Sequence, residues 1–435
     1  MSRRNFLLQI LLIPTLLSIV TAIYVNIIWT RSFDQFRTIY IPVFIRGQDA
    51  QGGQFALGVV RAMQHAELHR LSEVEGRRIE PVFIDEDPAR TDDVELRKLR
   101  DRIKGLNAPV VVGPLTSSAA KRIVPVVAGD LKIPMILGIP TSTTALAGSG
   151  GRAWRLSPTN DQQAQGVMNH YRRIRKPNDR LLIIQDKSDN ADYSDDLMRF
   201  LDIEIKNMWS GSGNTLPDRE LISNLADYAK IDPYFNGTKT APTTIIYVGM
   251  AEVAKTLVSN AAAAKPPIIA NWIFTDGCIT DRELVQNARA ATTAHAGNRF
   301  FVTFQGPPPA DKPGLARYIW FVRNTGGDVS FVLENSKCNE NLAASSYEIF
   351  GFDSYLTAVK VVNEAARKPR GWLNWWRPKV SSDRAFEVLN TNRISDPFLL
   401  LGDYNFANGN SQGLTFHVYE IAEGCLSRWS PPSSL

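Results

Sequence analysis

The chain is 435 residues long, 44% hydrophobic and 21% charged. That is the composition of a globular protein with room for roughly two to three domain-sized units. Its net charge is +5, but the basic residues are dispersed without a run of five or more, which argues against a nucleic-acid partner. Three cysteines, Cys278, Cys338 and Cys425, are too few for a disulfide framework. No CxxC or His/Cys cluster suggests zinc, so neither a metal nor a cofactor is expected.

The amino terminus predicts a membrane anchor. Phe6 to Trp29 holds no charged residue over 24 positions, more than the ~20 that a transmembrane helix needs. Ser2, Arg3 and Arg4 precede it, and SRRNFL resembles a twin-arginine export signal. No A-x-A-like site follows the run and no cysteine there offers a lipid anchor, so the segment reads as an uncleaved signal anchor. Arg3 and Arg4 set the amino terminus in the cytoplasm. The expected topology is a single pass through the cytoplasmic membrane, with Ile39 onward in the periplasm. Residues 1–38 are then anchor and linker.

Beyond the linker the pattern alternates strand and helix. Ile39 to Ile45 reads as a strand, and Gly47 to Gly53 as a polar, glycine-rich loop. Gln54 to Arg70 places Phe55, Val59, Met63 and Ala66 at helical spacing. Glu80 to Asp85 is a second strand, and Asp92 to Ile103 a charged amphipathic helix. Val110 to Val112 is a short apolar run, as in a strand buried on both faces. Thr116, Ser117 and Ser118 stand where the next helix begins, and Ser and Thr are good caps there. Pro134 to Leu137 is another buried strand, followed by Thr141, Ser142, Thr143 and Thr144. Parallel strands joined by a helix put both hydroxyl clusters at the carboxyl edge of one sheet. That is where open α/β sheets bind ligands. Helix-start N–H groups at that edge suit a carboxylate or another small anion.

A second cycle starts at Trp154. Helices are expected over Asp161 to Arg173, Tyr193 to Met208, Arg219 to Lys230, Ala251 to Ala264 and Asp281 to Ala294. Strands are expected over Leu181 to Gln185, Thr243 to Val248, Pro267 to Thr275 and Phe300 to Phe304. No Gly/Ser linker separates the two cycles, so they read as two lobes on a common hinge with parallel sheets.

Enzyme signatures are lacking: there is no GxSxG, GxxxxGK[ST] or GxGxxG. His65 and His69 in HAELH share a helix face, but the glutamate is displaced from the HExxH position, so the pair reads as a solvated face. Trp372, Trp375 and Trp376 in GWLNWWRPK form an aromatic-basic cluster that reads first as part of an amphipathic helix packed on lobe one, with a membrane-proximal or partner-binding surface as the alternative. Asp353 in GFDS reads as structural.

Several segments together carry a family resemblance: PVFIDEDP, VVVGPLTSSAAKRIVPVV, IPMILGIPTSTTAL, WRLSPTNDQQAQG, LLIIQDKSDNADYSDDL, TTIIYVGMAEVAK and SSYEIFGFDSYLTAVKVV. In order and spacing the chain, from about Ile39 to Glu423, resembles the type I periplasmic-binding-protein fold, specifically the Leu/Ile/Val-type solute-binding proteins and receptor ligand-binding regions. The resemblance implies an α/β clamshell of two lobes joined by three crossovers. Lobe one would hold 39–156 and, on the chain's return, 306–400. Lobe two would hold 157–305 and the completing strand and tail in 401–435. It also implies a ligand site. Ser117, Thr141 and Thr143 fall where the family binds an α-carboxylate, Asp276 where it pairs with an α-ammonium, and Tyr193 where a tyrosine helps close the cleft. Met250 departs from the family, which often has an aromatic residue there. The expected function is capture of a small amino-acid-like ligand for ABC-type uptake or sensing, with a permease or signalling protein as partner. The alternatives are a ligand-free interaction module and, least favoured, an enzyme.

Overall fold

The structure, a computed structural model, describes residues 38–47, 50–210, 216–278, 282–305, 346–367, 380–391, 393–422 and 425–428. The anchor Phe6–Trp29, Cys338, residues 306–345 of the expected return to lobe one and the Trp372, Trp375 and Trp376 cluster lie outside the described residues. Among the described residues no helix is long and apolar enough to cross a membrane.

The chain first lays down β1 (Thr38–Ile45), α1 (Ala50–Leu68), β2 (Glu73–Val74), β3 (Arg77–Asp85), α2 (Asp93–Leu106), β4 (Val111–Val112), α3 (Ser117–Val124), β5 (Met135–Leu137) and β6 (Ala153–Arg155). It then builds α4 (Asn160–Ile174), β7 (Leu181–Asp186), α5 (Ala191–Trp209), β8 (Asp218–Ile222), β9 (Thr244–Val248), α6 (Ala251–Ala263), β10 (Asn271–Phe274), α7 (Arg282–Ala294) and β11 (Arg299–Phe304). It goes on with α8 (Ser346–Arg367), α9 (Ser382–Leu389), β12 (Arg393–Ile394), β13 (Tyr404–Ala407) and β14 (Asn410–Gln412), and last come β15 (His417–Ala422) and β16 (Cys425–Arg428).

Two sheets result. One has the order β12-β13-β14-β6-β5-β4-β1-β3-β2 and the other β16-β15-β11-β10-β9-β7-β8. Each central ladder is parallel: β1 pairs with β3 and β4, and β9 with β7 and β10. The strand TIIYV of β9 is buried at every position, as expected for a strand with helices on both faces. We call the first sheet with its helices lobe one and the second lobe two.

Local chemistry sets the helix starts near the cleft. Thr116 caps α3, its hydroxyl accepting from the Ala119 amide at 3.2 Å. Thr159 and Gln162 form a capping box at α4. Lobe one is held together where α1 crosses α8. A methyl group on Gly58 would lie 2.1 Å from the Glu348 carbonyl oxygen, and one on Gly351 would lie 2.3 Å from that of Phe55. Glycine at both positions lets the backbones touch. Beside this crossing the buried Arg61 and Glu348 form an ion pair.

Four expectations need correction. The loop expected over Gly47 to Gly53 becomes helix from Ala50, because Gly52 carries no side chain to strike Arg46, whose carbonyl oxygen would be 2.0 Å away. The second strand is longer than expected, starts at Arg77, and forms a hairpin with Glu73–Val74. The helix expected over Arg219 to Lys230 is instead β8, paired parallel with β7, followed by a 3-10 turn over Leu225–Lys230. Its charges belong to an exposed edge strand rather than to the wet face of a helix. Finally, 401–435 does not belong to lobe two as a block. β13 and β14 extend the lobe-one sheet through the pairing of Asn410 with Arg155, and the chain enters lobe two only at β15, antiparallel to β11. The Arg155 guanidinium, which donates to Asn410 Oδ1 at 3.0 Å, anchors that edge.

Candidate functional site

The carboxyl edges of the two sheets face each other across a cleft. Lobe one contributes Arg46 from the end of β1, Gln51 from α1, Leu115 to Ser117 at the start of α3, Ile139 to Thr141 after β5, and Tyr347 from α8. Lobe two contributes Asn190 and Tyr193 at the start of α5, Met250 before α6, and Asp276 and Gly277 after β10. The space left for water centres is about 20 Å³, little more than one water needs. The cleft is therefore nearly shut.

Five of the six expected residues line this cleft: Ser117, Thr141, Tyr193, Met250 and Asp276. Ser117 is the first residue of α3 and its Oγ accepts from the Ser142 amide at 3.3 Å. That bond ties the two hydroxyl-rich turns together. The Thr141 carbonyl accepts from the Asn160 amide at 2.9 Å, at the passage into lobe two. Buried Arg155 holds the same turn by donating to the carbonyls of Pro140, at 3.3 Å, and of Ser142. Burial lowers its pKa to about 10.

Asp276 is buried and surrounded by neutral donors. Tyr193 donates its hydroxyl at 2.6 Å and Gln163 its amide at 2.7 Å, both to Oδ1, while Gln305 donates to Oδ2. Burial raises the Asp276 pKa, and these hydrogen bonds oppose the rise. Burial also holds the Tyr193 hydroxyl well above its ordinary value, with Asp276 adding to the effect. Met250 precedes α6, and its carbonyl accepts from the Tyr247 hydroxyl at 2.8 Å. Its sulfur sits where a side chain on Gly277 would be, 2.8 Å from that added carbon.

Thr143 is the exception. No helix follows β5, so the turn after Thr141 curls away from the cleft, and Thr143 reaches Asp196 on α5 instead.

Sequence reasoning missed several residues. Glu86 is wholly buried behind the lobe-one wall and accepts from the amides of Leu115, at 2.7 Å, and Thr116, at 3.1 Å, and from the Thr116 hydroxyl at 2.8 Å. Burial raises its pKa to about 7. It therefore occupies donors at the helix start that the sequence suggested for an anion. Asn190 takes both the amide and the hydroxyl of Ser118, at 3.3 and 3.0 Å, across the cleft. Gln51 donates to the Gly277 carbonyl at 3.1 Å, and Lys121 pairs with Asp192 at 2.6 Å. The available signal was position: Arg46, Glu86 and Asn190 each follow directly, or within a few residues, the carboxyl end of a parallel strand.

Elsewhere, His65 departs from the solvated face expected of HAELH. It is half-buried against Phe398, at 4.6 Å between ring centroids, and against Phe352, and burial followed by the neighbouring His69 lowers its pKa to about 4. Asp353 is buried and accepts from the amides of Leu400 and Leu401 and from the Tyr404 hydroxyl. Cys278 is buried, with its Sγ donating to the Gly249 carbonyl at 3.6 Å. Among the described residues no group of three or more His, Cys, Asp or Glu is gathered to hold a metal.

No protein-family model and no curated protein sequence matches the chain. Solved structures do. A leucine-binding protein from Thermotoga maritima superposes with a TM-score of 0.67 at 17% identity, covering 90% of this chain and 98% of that one. The fold is that of the type I periplasmic binding proteins. The substrate-binding protein of a branched-chain amino acid transporter from Streptococcus pneumoniae, in complex with isoleucine, gives 0.63 at 17%, covering 89% and 97%. A solute-binding protein of an ABC transporter from R. palustris, in complex with 4-hydroxybenzoate, gives 0.63 at 13%, covering 90% and 95%. Each neighbour is described as a binding protein of small molecules. At these identities the likeness establishes the fold of this type I binding-protein scaffold alone.

Proposed function

We propose that the chain is a membrane-anchored, extracytoplasmic solute-binding protein that captures a small amino-acid-like ligand between its lobes, for ABC-type uptake or sensing. The observation that carries this reading is one cleft lined by Ser117 and Thr141 on lobe one and by Asp276 with Tyr193 on lobe two. Neutral donors opposite a carboxylate suit a zwitterion. The solutes named for the neighbouring structures, an amino acid and an aromatic acid, have that size and carry a carboxylate. Native mass spectrometry of the full chain in detergent tests the reading by looking for a co-purified small molecule. Calorimetry against amino acids, polyamines and carboxylates follows. A reporter that fluoresces only in the cytoplasm, fused after Leu435, tests the anchor: it stays dark if the domain is exported unfolded.

A second reading rests on the nearly filled cleft, which direct side-chain bonds already bridge. Under it the chain keeps the fold as an interaction module and binds a protein rather than a solute. Absence of both co-purified ligand and calorimetric binding favours this module.

A further inference from the structure

Arg46 ends β1 at the carboxyl edge of lobe one and lines the cleft. Its Nη2 lies 2.5 Å from Oδ1 of Asp189, a carboxylate of the opposite lobe. Asp87, on its own lobe, stands 3.8 Å from Nε and helps hold the guanidinium in place. A guanidinium in the cleft that Ser117 and Thr141 also line is a carboxylate receptor, because its planar fork matches the two oxygens. Here the carboxylate it holds belongs to the chain itself. Asp189 lies in the loop between β7 and α5, next to Asn190, which grips Ser118. The residue that occupies Arg46 and the residue that pins α3 are thus adjacent in one loop.

We propose that Asp189 is an internal stand-in for the acid group of the solute. It closes the cleft on Arg46, and it is exchanged for the ligand's carboxylate when solute enters. This rests on the solute-binding reading above. It makes Arg46 a specificity-determining residue and a carboxylic acid the ligand class. The exposures fit an exchange: the Asp189 side chain is 26% exposed against 12% for Arg46. The displaced carboxylate can turn out into water, while the guanidinium stays at the cleft. Pairing across the cleft also lowers apparent affinity, because solute must compete with a state that is already closed.

The test uses the full chain in detergent, with Asp189→Asn and Arg46→Gln. The probes are L-leucine, L-glutamate, benzoate and 4-hydroxybenzoate, with leucinamide and benzamide as controls that lack the carboxylate. Removing the competitor and removing the receptor should act in opposite directions. Asp189→Asn is expected to bind the acids about tenfold more tightly than wild type, as a closed fraction of roughly nine-tenths would require. Arg46→Gln is expected to weaken them at least about thirtyfold, and the amides should not bind. Without any probe, hydrogen exchange at the Ser118 and Asp192 amides, which bond across the cleft, should quicken in both variants. If Arg46→Gln fails to fold, Arg46→Lys, which keeps the charge and loses the fork, should show a smaller loss. Acids bound by wild type but weakened equally by both substitutions would overturn the exchange and leave solute binding standing. Acids and amides binding alike would overturn the ligand class. No probe binding to any of the proteins would overturn the solute reading and the exchange together. Unchanged exchange at Ser118 and Asp192 would overturn closure by Asp189.

Discussion

Thr143 of lobe one donates both its amide and its hydroxyl to the carboxylate of Asp196 in lobe two, each at 2.7 Å. Arg199 donates to the same carboxylate at 2.7 Å and to the Thr143 hydroxyl at 3.0 Å, and Asn160 donates to the other oxygen at 3.0 Å. The residue expected to hold ligand instead joins the lobes beside the hinge. Bonds to an ionised group are worth about 1.5–3 kcal/mol each, so this contact weighs heavily in the closed state.

Breaking it should loosen the cleft without unfolding either lobe, because each sheet's strands pair only within that sheet. In Asp196→Ala the Thr143 amide is expected to exchange at least tenfold faster, roughly 1.4 kcal/mol of lost protection. The Ser118 amide should follow if the lobes separate as rigid bodies. Hydrogen-exchange mass spectrometry of the full chain reads both. Faster exchange at Thr143 with Ser118 unchanged would mean that only the turn opens.

Asp276 carries a second prediction, with two readouts. Asp276→Ala leaves Tyr193, Gln163 and Gln305 without their common acceptor, at roughly 1–3 kcal/mol for each donor that water does not reach. Urea unfolding should therefore show a clear loss of stability, although the residue follows a strand end. Affinity for a zwitterionic ligand should fall by about 2–5 kcal/mol, the usual cost of removing one partner of a buried charge pair. Stability lost with affinity unchanged would make Asp276 a structural residue alone.

Much of this fold is written in local pattern. The apolar runs at Val111–Val112, Met135–Leu137 and Thr244–Val248 announce buried parallel strands, and the hydroxyls at Thr116 to Ser118 announce a helix start. From these the two lobes and the shared cleft edge follow. What the pattern hides is pairing over long sequence distance. Nothing near Asp218–Ile222 signals that its charges lie along an edge strand. The turn after Met135–Leu137 carries four hydroxyl residues, and only the approach of α5 decides that Thr143 faces Asp196 while Thr141 faces the cleft. Asp276 is visible as a carboxylate at a strand end, but its three donors come from α4, α5 and the end of β11. Arg46 and Asp189 lie 143 positions apart, and neither marks the other in sequence.

The crossing of α1 and α8 gives a prediction about folding rather than binding. Gly351→Ala would push a methyl carbon to within 2.3 Å of the Phe55 carbonyl oxygen. Backbone cannot yield there as a flexible side chain would, so the helices must part. Overpacking of this kind costs typically about 1–3 kcal/mol, and the Arg61–Glu348 ion pair beside it would be disturbed as well. The expected result is a lower urea midpoint for Gly351→Ala. Gly105→Ala, at a helical glycine with nothing within 4 Å of the added carbon, should match or exceed wild type.

The last prediction concerns pH and comes from Glu86. Its folded pKa is raised to about 7 from an ordinary 4.5, chiefly because burial disfavours the charged form. The folded protein therefore holds a proton that the unfolded chain releases between those values. The stabilising contribution is fully present below about pH 4.5 and is lost as pH rises toward about 7. Asp353, also raised to about 7 by burial, acts with the same sign. Each group can change stability by at most about 1.4 kcal/mol per pH unit. Urea unfolding of the full chain from about pH 5 to about pH 8 should show stability falling through the lower part of that range. Glu86→Gln should flatten the fall, because the amide cannot titrate, and should lower stability at acid pH if its nitrogen faces the Leu115 or Thr116 amide. Because Glu86 holds the amides of Leu115 and Thr116, which line the cleft, its ionisation should also be felt at the Ser117 side of the site. A Glu86→Gln protein whose stability keeps the wild-type pH slope would place the titrating group elsewhere.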